Sequence, residues 1–257
     1  LMLCSIIISN FNKSKYLDEC LKSAVNQTYK NIEIIFSDNG SNDNSLKIAK
    51  KFKTVRTLVN TRSTNSPALN QIDVILKAFE KSSGDFIFFL DSDDFFELDK
   101  IEKIIQYNNI NNFQFIADTP ELYFNENKTK NFKINSIFNL MRSWPIIFPT
   151  SSLSCSRKFF NNFKNFIYQN QYEKIEIDTR LNIYSFIDNK RKIFKKKIVT
   201  NYRQTNEGIM SNYRKFDHNW WQKRLQAHNY MNAIKEIKKI NINKKIDYYV
   251  TKLFTKF

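Results

Sequence analysis

The chain has 257 residues, 42% hydrophobic and 15% aromatic, with only three glycines and four prolines. That is enough apolar material for one sizeable core plus a small appendage, and it excludes a fibre or a disordered linker. The formal charge of +16 points to an anionic partner or to lysines spread over a solvated surface. No RNA-recognition, zinc-finger or helix-turn-helix signature accompanies it, so nucleic acid is not an expected partner.

In chain order, Ser5-Ile6-Ile7-Ile8 predicts a short strand buried on both faces. Asn10 to Lys13 follows as a loop. Ser14 then caps a helix with Tyr16, Leu17, Cys20, Leu21, Ala24 and Val25 at helical spacing. Residues 32–36 predict a second strand, ending in the turn Asp38-Asn39-Gly40-Ser41. A helix over 45–52 and a strand over 55–59 come next. Ile72, Ile75, Leu76 and Phe79 mark a further helix that stops near Gly84. Residues 86–90 form a strong strand with Asp91-Ser92-Asp93-Asp94 at its end.

The second half is less regular. Residues 108–135 are Asn-rich and carry no assignable period. Residues 143–157, with Trp144, Pro145 and Pro149, read as a loop. Residues 178–184 predict a helix, 190–202 a basic turn and a strand, and 216–237 a helix. Trp144, Trp220 and Trp221 suit either a core or a sugar ring. At the C-terminus Ile246, Tyr249, Val250, Leu253, Phe254 and Phe257 recur at helical spacing, with Lys244, Lys245, Lys252 and Lys256 on other faces. Such a stripe either lies on an anionic membrane or packs on the rest of the chain or on a second copy.

Cys4, Cys20 and Cys155 are odd in number and lack a CxxC pair, so no disulfide framework is expected and a reducing compartment is favoured. Cys4 and Cys20 read as core fillers. His218 and His228 have no cysteine or histidine partners for a zinc site. The apolar stretch 3–8 is too short for a secretory signal, and no run approaches a membrane span. The expected location is the cytosol or the cytosolic face of a membrane.

Alternating strands and helices predict an α/β protein with a mostly parallel sheet flanked by helices, whose ligands bind beyond the carboxyl ends of the strands. The loops at Asn10–Lys13, Asp38–Ser41 and Asp91–Asp94 all fall there. Breaking a sugar–diphosphate bond loads negative charge onto phosphate, and carboxylates such as Asp91, Asp93 and Asp94 can hold a cation that absorbs it. Taken alone, an acidic turn after a strand is equally a solvated helix start.

Four segments together are more specific. They are Ser5-Ile6-Ile7-Ile8-Ser9-Asn10-Phe11-Asn12, Leu21-Lys22-Ser23-Ala24-Val25-Asn26-Gln27-Thr28-Tyr29, Glu33-Ile34-Ile35-Phe36-Ser37-Asp38-Asn39-Gly40-Ser41-Asn42-Asp43 and Gly84-Asp85-Phe86-Ile87-Phe88-Phe89-Leu90-Asp91-Ser92-Asp93-Asp94. Over the first hundred residues this order and spacing resembles family 2 glycosyltransferases. The resemblance implies a GT-A fold with a Rossmann-like sheet and a helical C-terminal extension. It further implies inverting hexosyl or N-acetylhexosaminyl transfer from a nucleotide-sugar, a UDP-sugar foremost, and a divalent Mn2+ or Mg2+ cofactor.

By position, the resemblance puts Ser9, Phe11, Asp38 and Asn39 at the base and ribose. Asn39 stands where many members have a second Asp, which leaves room for another base. Asp91 falls at the ribose and metal–diphosphate, and Asp93 at the metal. Inversion requires a general base near the acceptor hydroxyl, and Asp178 within Glu176-Ile177-Asp178-Thr179-Arg180-Leu181 matches it, with Glu176, Glu173 and Asp188 in reserve. Tyr202-Arg203-Gln204-Thr205-Asn206 resembles the segment before the family's mobile loop. Arg203 there either steadies the departing diphosphate or pairs with a surface carboxylate.

Expected partners are the donor, a saccharide or lipid-linked saccharide acceptor of surface polysaccharide or glycolipid synthesis, a membrane surface through the basic C-terminal helix, and a second copy of the chain. The expected organisation is a catalytic domain over 1–215, with a nucleotide-sugar half (1–107) and an acceptor half (108–215), then a helical extension over 216–257. A sugar nucleotidyltransferase and a non-catalytic anion- or membrane-binding module on the same fold are the rival readings. The first lacks a Gly-rich triphosphate loop. Intact Asp91, Asp93 and Asp178 argue against the second.

Overall fold

The computed structural model describes residues 2–124, 128–132, 143, 145–167, 171–205, 208–209 and 213–256; Trp144, Asn206 and Phe257 lie outside them. The first half runs β1 (Cys4–Asn10), α1 (Ser14–Val25), β2 (Ile32–Asp38), α2 (Ser45–Ala49), β3 (Val55–Val59), α3 (Pro67–Glu80) and β4 (Phe86–Asp91). These are the elements expected from the apolar periodicity. Ser14, however, is the first helical residue and does not cap. The orphan N–H it carries donates to Asp43 Oδ2 at 2.9 Å, so a distant carboxylate closes the helix start. At α3 the cap is local: Leu69 N–H donates to Ser66 Oγ, with Pro67 opening the helix.

The second half contains β5 (Phe95–Phe96), α4 (Lys100–Asn111), β6 (Phe115–Asp118), β7 (Glu121–Phe124) and β8 (Lys128–Asn131). A 3-10 turn (Thr150–Ser152), β9 (Leu153–Ser156), α5 (Arg157–Lys164), α6 (Ile177–Ile187), β10 (Arg191–Phe194), β11 (Thr200–Arg203), α7 (His218–Ile237) and α8 (Ile246–Phe254) follow. The main sheet has the order β10-β6-β9-β4-β1-β2-β3. All its pairings are parallel except those of β9, which runs antiparallel between β4 and β6. The expectation of a loop over 143–157 is therefore corrected. Leu153, Ser154 and Cys155 are buried in mid-sheet, and four residues are too few for a period to show. The single strand expected over 190–202 is two strands in different sheets, because β11 joins β5, β7 and β8 in a second sheet.

Two apolar layers cover the main sheet. One joins α3, α5, α6 and α7 through residues such as Ile75, Phe160, Leu181 and Met231. The other joins α1 and α4 through Leu17, Leu21, Ile101 and Ile104. Cys4, Cys20 and Cys155 are buried free thiols. Among the described residues no helix is long and apolar enough to cross a membrane.

Candidate active site

Parallel pairing aligns the three polar loops. In register, Ser9 of β1 lies opposite Asp91 of β4, and Asn10 lies opposite Asp38 of β2. Beyond these strand ends opens a cavity of about 510 Å³ whose wall includes Ser9, Phe11, Asn39, Asp91, Asp93, Asp178 and Arg203. The C-terminal ends of the strands thus gather seven of the eight expected site residues.

Asp38 is the exception. It is fully buried and does not line the cavity. Its Oδ1 accepts from Asn10 Nδ2 at 2.7 Å and Ser41 Oγ at 2.6 Å, and its Oδ2 accepts from Ser41 N–H at 2.9 Å. Its carboxylate is thus spent on tying the two loops together. Gly40, at φ 72°, makes the turn that permits this. The neighbouring Asn39 reaches the wall in its place, and its buried Oδ1 has no hydrogen-bond partner among the described residues.

Asp91 Oδ1 accepts from Ser9 Oγ at 2.7 Å and Gln71 Nε2 at 3.0 Å. Burial and then the charge of Asp93 push its pKa up to about 6, against hydrogen bonds from Ser9, Thr150 and Gln71. Asp93 pairs with Lys13 Nζ at 2.9 Å. Asp94 turns inward, where Ser151 Oγ donates to one oxygen and Arg203 N–H to the other. Burial, with Asp93 and Asp91 close by, raises its pKa far above the usual carboxylate range.

Arg203 lines the cavity, but its guanidinium is already engaged. It donates to the Asp93 carbonyl oxygen at 2.8 Å and to Glu19, and it sits among the rings of Tyr16, Phe95 and Tyr123. It braces the acidic turn from behind.

In the same cavity wall, Asp178 occupies the first turn of α6. A helix N-terminus favours an ionised carboxylate, yet burial first and Glu176 second push its pKa up to about 7. Lys223 and the Thr179 N–H act against that rise without cancelling it. Glu176, also in the wall, is ion-paired with Lys223 of α7. Of the other reserve carboxylates, Glu173 and Asp188 lie outside the wall.

Four wall residues had no signal in the sequence. Lys13 is one loop residue among many lysines. Gln71 and Thr150 depend on α3 and the 3-10 turn meeting β4. Arg62 packs its guanidinium 4.4 Å from the centre of the Phe11 ring. Only the tertiary fold brings these to one place.

Among the described residues no three side chains of His, Cys, Asp and Glu converge on one point. Asp91 and Asp93 nonetheless suit a hard divalent cation. They are oxygen donors at a cavity wall, and burial first and the neighbouring Asp93 charge second raise the pKa of Asp91, a load that a bound cation would relieve.

A mostly parallel sheet with carboxylates beyond its strand ends, and a further carboxylate in the same cavity wall, is the arrangement of a GT-A fold. The glycosyl transferase family 2 profile matches residues 5–202, and the chain belongs to that family. It is 38% identical over 109 residues to an uncharacterized glycosyltransferase of Haemophilus influenzae, covering 41% of this chain and 42% of that protein. It is 32% identical over 120 residues to a cholesterol galactosyltransferase of Borreliella burgdorferi, covering 47% of this chain and 33% of that one. The match thus spans less than half the length of these relatives.

Among solved structures, residues 1–349 of Staphylococcus aureus TarS in complex with UDP-GlcNAc superpose with a TM-score of 0.67 at 15% identity, covering 99% of this chain and 70% of that one. The mannosyltransferase PcManGT of Pyrobaculum calidifontis, in complex with GDP-Man and Mn2+, gives 0.63 at 12% identity, covering 96% and 67%. At these identities the likeness is one of fold.

Proposed function

We propose that the protein is an inverting, metal-dependent glycosyltransferase that moves a hexosyl or N-acetylhexosaminyl group from a nucleotide-sugar to a hydroxyl of a saccharide or lipid-linked saccharide. The observation that carries this is one cavity whose wall gathers Asp91 and Asp93 from the end of β4 and Asp178, with its pKa near 7, from the start of α6.

The nucleotide lies over the ends of β1 and β2. Phe11, backed on one ring face by the Arg62 guanidinium, stacks on the base, Ser9 faces the ribose, and Asn39 meets the base edge through its side-chain amide. Asp38 acts through the loops it ties. Asp93 and Asp91 would hold Mn2+ or Mg2+, with the donor's phosphates and water completing the shell. Bound there, the cation supplies electrostatic stabilisation of the departing diphosphate. The Lys13 ammonium holds positive charge at the same edge.

Asp178 takes the proton of the acceptor hydroxyl as its oxygen attacks the anomeric carbon. The bond from that carbon to the phosphate oxygen breaks on the opposite face, and the nucleoside diphosphate leaves with the bonding pair. A base with a pKa near 7 is matched to this task at neutral pH. The donor is held by residues 1–107 and the acceptor by 108–215, with 216–257 as a helical extension at the cytosolic face of a membrane.

The test is a thermal-shift screen of nucleoside diphosphates and nucleotide-sugars with and without Mn2+, followed by transfer assays on wild type, Asp93→Ala and Asp178→Asn. The reading requires metal-enhanced donor binding, lost in Asp93→Ala but kept in Asp178→Asn, with turnover lost in both. Wild-type turnover with all metal chelated would remove the metal assignment. Full turnover in Asp178→Asn would move the base to Glu176.

A further inference from the structure

Helix α8 is docked with its polar side inward. Thr251 is buried, and Asp247, Tyr248 and Thr255 are half-buried. Asp247, the only acidic residue of the helix, accepts from Ser143 N–H at 2.9 Å and Ser143 Oγ at 2.7 Å. The apolar side faces out: Ile246 is 64% exposed, Tyr249 59%, Val250 38%, Leu253 54% and Phe254 48%. At 3.6 residues per turn these five occupy one arc of about 140°, with Lys252 and Lys256 along one margin. Both lysines are exposed.

The surface continues onto α7. Trp221 stacks on Phe254 at 4.8 Å, Trp220 meets Trp221 at 4.7 Å, and the exposed Phe216 meets Trp220 at 5.3 Å. Cations border this end too, with Lys215 Nζ over the Phe216 ring and the Arg224 guanidinium over Trp220.

A helix that merely covers the body of the protein would turn Ile246, Val250 and Leu253 inward. Here nothing among the described residues buries them, although a contiguous exposed apolar patch is costly and marks a contact surface. The character of its border selects the occupant. The margin is cationic, the one carboxylate of α8 is withdrawn, and indole and phenyl rings sit at the edge, as in segments that lie at a bilayer interface.

We infer that α8, together with Phe216, Trp220 and Trp221, lies on an anionic lipid surface with its apolar arc in the headgroup–acyl boundary. The same α7 carries Lys223, which pairs with Glu176 in the cavity wall, so the lipid-facing patch and that wall share one helix. If the proposed transfer reaction holds, this geometry selects a lipid-borne acceptor. The surface itself does not depend on that reaction.

Sedimentation of the whole chain with vesicles of phosphatidylcholine, with and without phosphatidylglycerol, tests the inference. Wild type should bind the anionic vesicles, and more weakly the neutral ones. At about 1 kcal/mol per lysine, Lys252→Gln/Lys256→Gln should lose roughly thirtyfold on the anionic vesicles. Val250→Glu/Leu253→Glu alters only outward side chains, so it should melt as wild type does and lose binding to both. Asp178→Asn should bind as wild type, which separates this result from the fate of the proposed chemistry. Absence of wild-type binding, or binding unchanged in both double variants, overturns the inference. A concentration-dependent dimer dissociated by Val250→Glu/Leu253→Glu, without vesicle binding, overturns it in favour of a second copy of the chain.

Discussion

At the scale of single residues, Asp178 sets function against stability. With its folded-state pKa raised from 3.8 to about 7, the folded chain holds this proton more tightly than the unfolded chain does. Below pH 3.8 both states carry the proton and the group is neutral to folding. As pH rises the unfolded state releases it first, so stability falls progressively until about pH 7. Asp178→Asn should therefore raise the melting temperature at pH 8, by about 2–4 °C for each kcal/mol relieved, and leave it unchanged near pH 3.5; calorimetry at the two pH values checks this. In the wild type kcat/KM should rise with pH through about 7 as the base loses its proton, and the variant should retain about a hundredth to a ten-thousandth of the rate. Asn39 offers a second test. With its side-chain amide at the base edge, Asn39→Ala should weaken UDP binding by roughly tenfold in titration calorimetry, about what one hydrogen bond contributes.

At the scale of elements, the acidic turn after β4 rests on a buried cation supplied by α4. Lys100 Nζ donates to the Ser151 carbonyl oxygen at 2.6 Å and Thr200 Oγ1 at 2.5 Å, and pairs with Asp118 Oδ2 at 2.9 Å. Ser151 in turn accepts from Asp91 N–H at 3.0 Å and donates to Asp94 at 2.5 Å. One lysine thus joins α4, β6, β11 and the 3-10 turn beneath the cavity floor. Lys100→Met would strand the Asp118 carboxylate in the interior, at about 3–5 kcal/mol. Adding Asp118→Leu should recover part of that loss, because two apolar groups replace a pair whose desolvation was itself costly. Urea unfolding of the two single variants and the double variant measures this coupling.

At the scale of the whole molecule, the sheet brings residues from Ser9 to Arg203 around one cavity. Any ligand bound there stabilises the entire fold by mass action. At a hundred times its dissociation constant a nucleoside diphosphate should add about 2.7 kcal/mol to stability, or about 5–10 °C of melting temperature at this chain length. The shift should be larger with Mn2+ present, and thermal melting with each nucleotide in turn would rank UDP against GDP.

Much of this architecture is written locally in the chain. The runs Ile6-Ile7-Ile8 and Phe86-Ile87-Phe88-Phe89-Leu90, β-branched or aromatic and bounded by polar turns, read as strands buried on both faces. Their polar ends, at Ser9 and Asp91, had to fall on the same side of a parallel sheet. Asp93 and Asp178 stand out only through the resemblance of their segments to a family, because a carboxylate that ends a strand or opens a helix is, taken alone, equally a solvated one. What the sequence could not decide depended on partners far along the chain. Four residues of β9 become a strand only because β4 and β6 offer free edges on either side. Asp38 is drawn out of the cavity by Asn10 and Ser41, while Asn39 takes the wall. The apolar stripe of α8 had the same periodicity whichever way it faced. Its orientation was settled by Asp247 finding Ser143, a contact across about a hundred residues that no local pattern encodes.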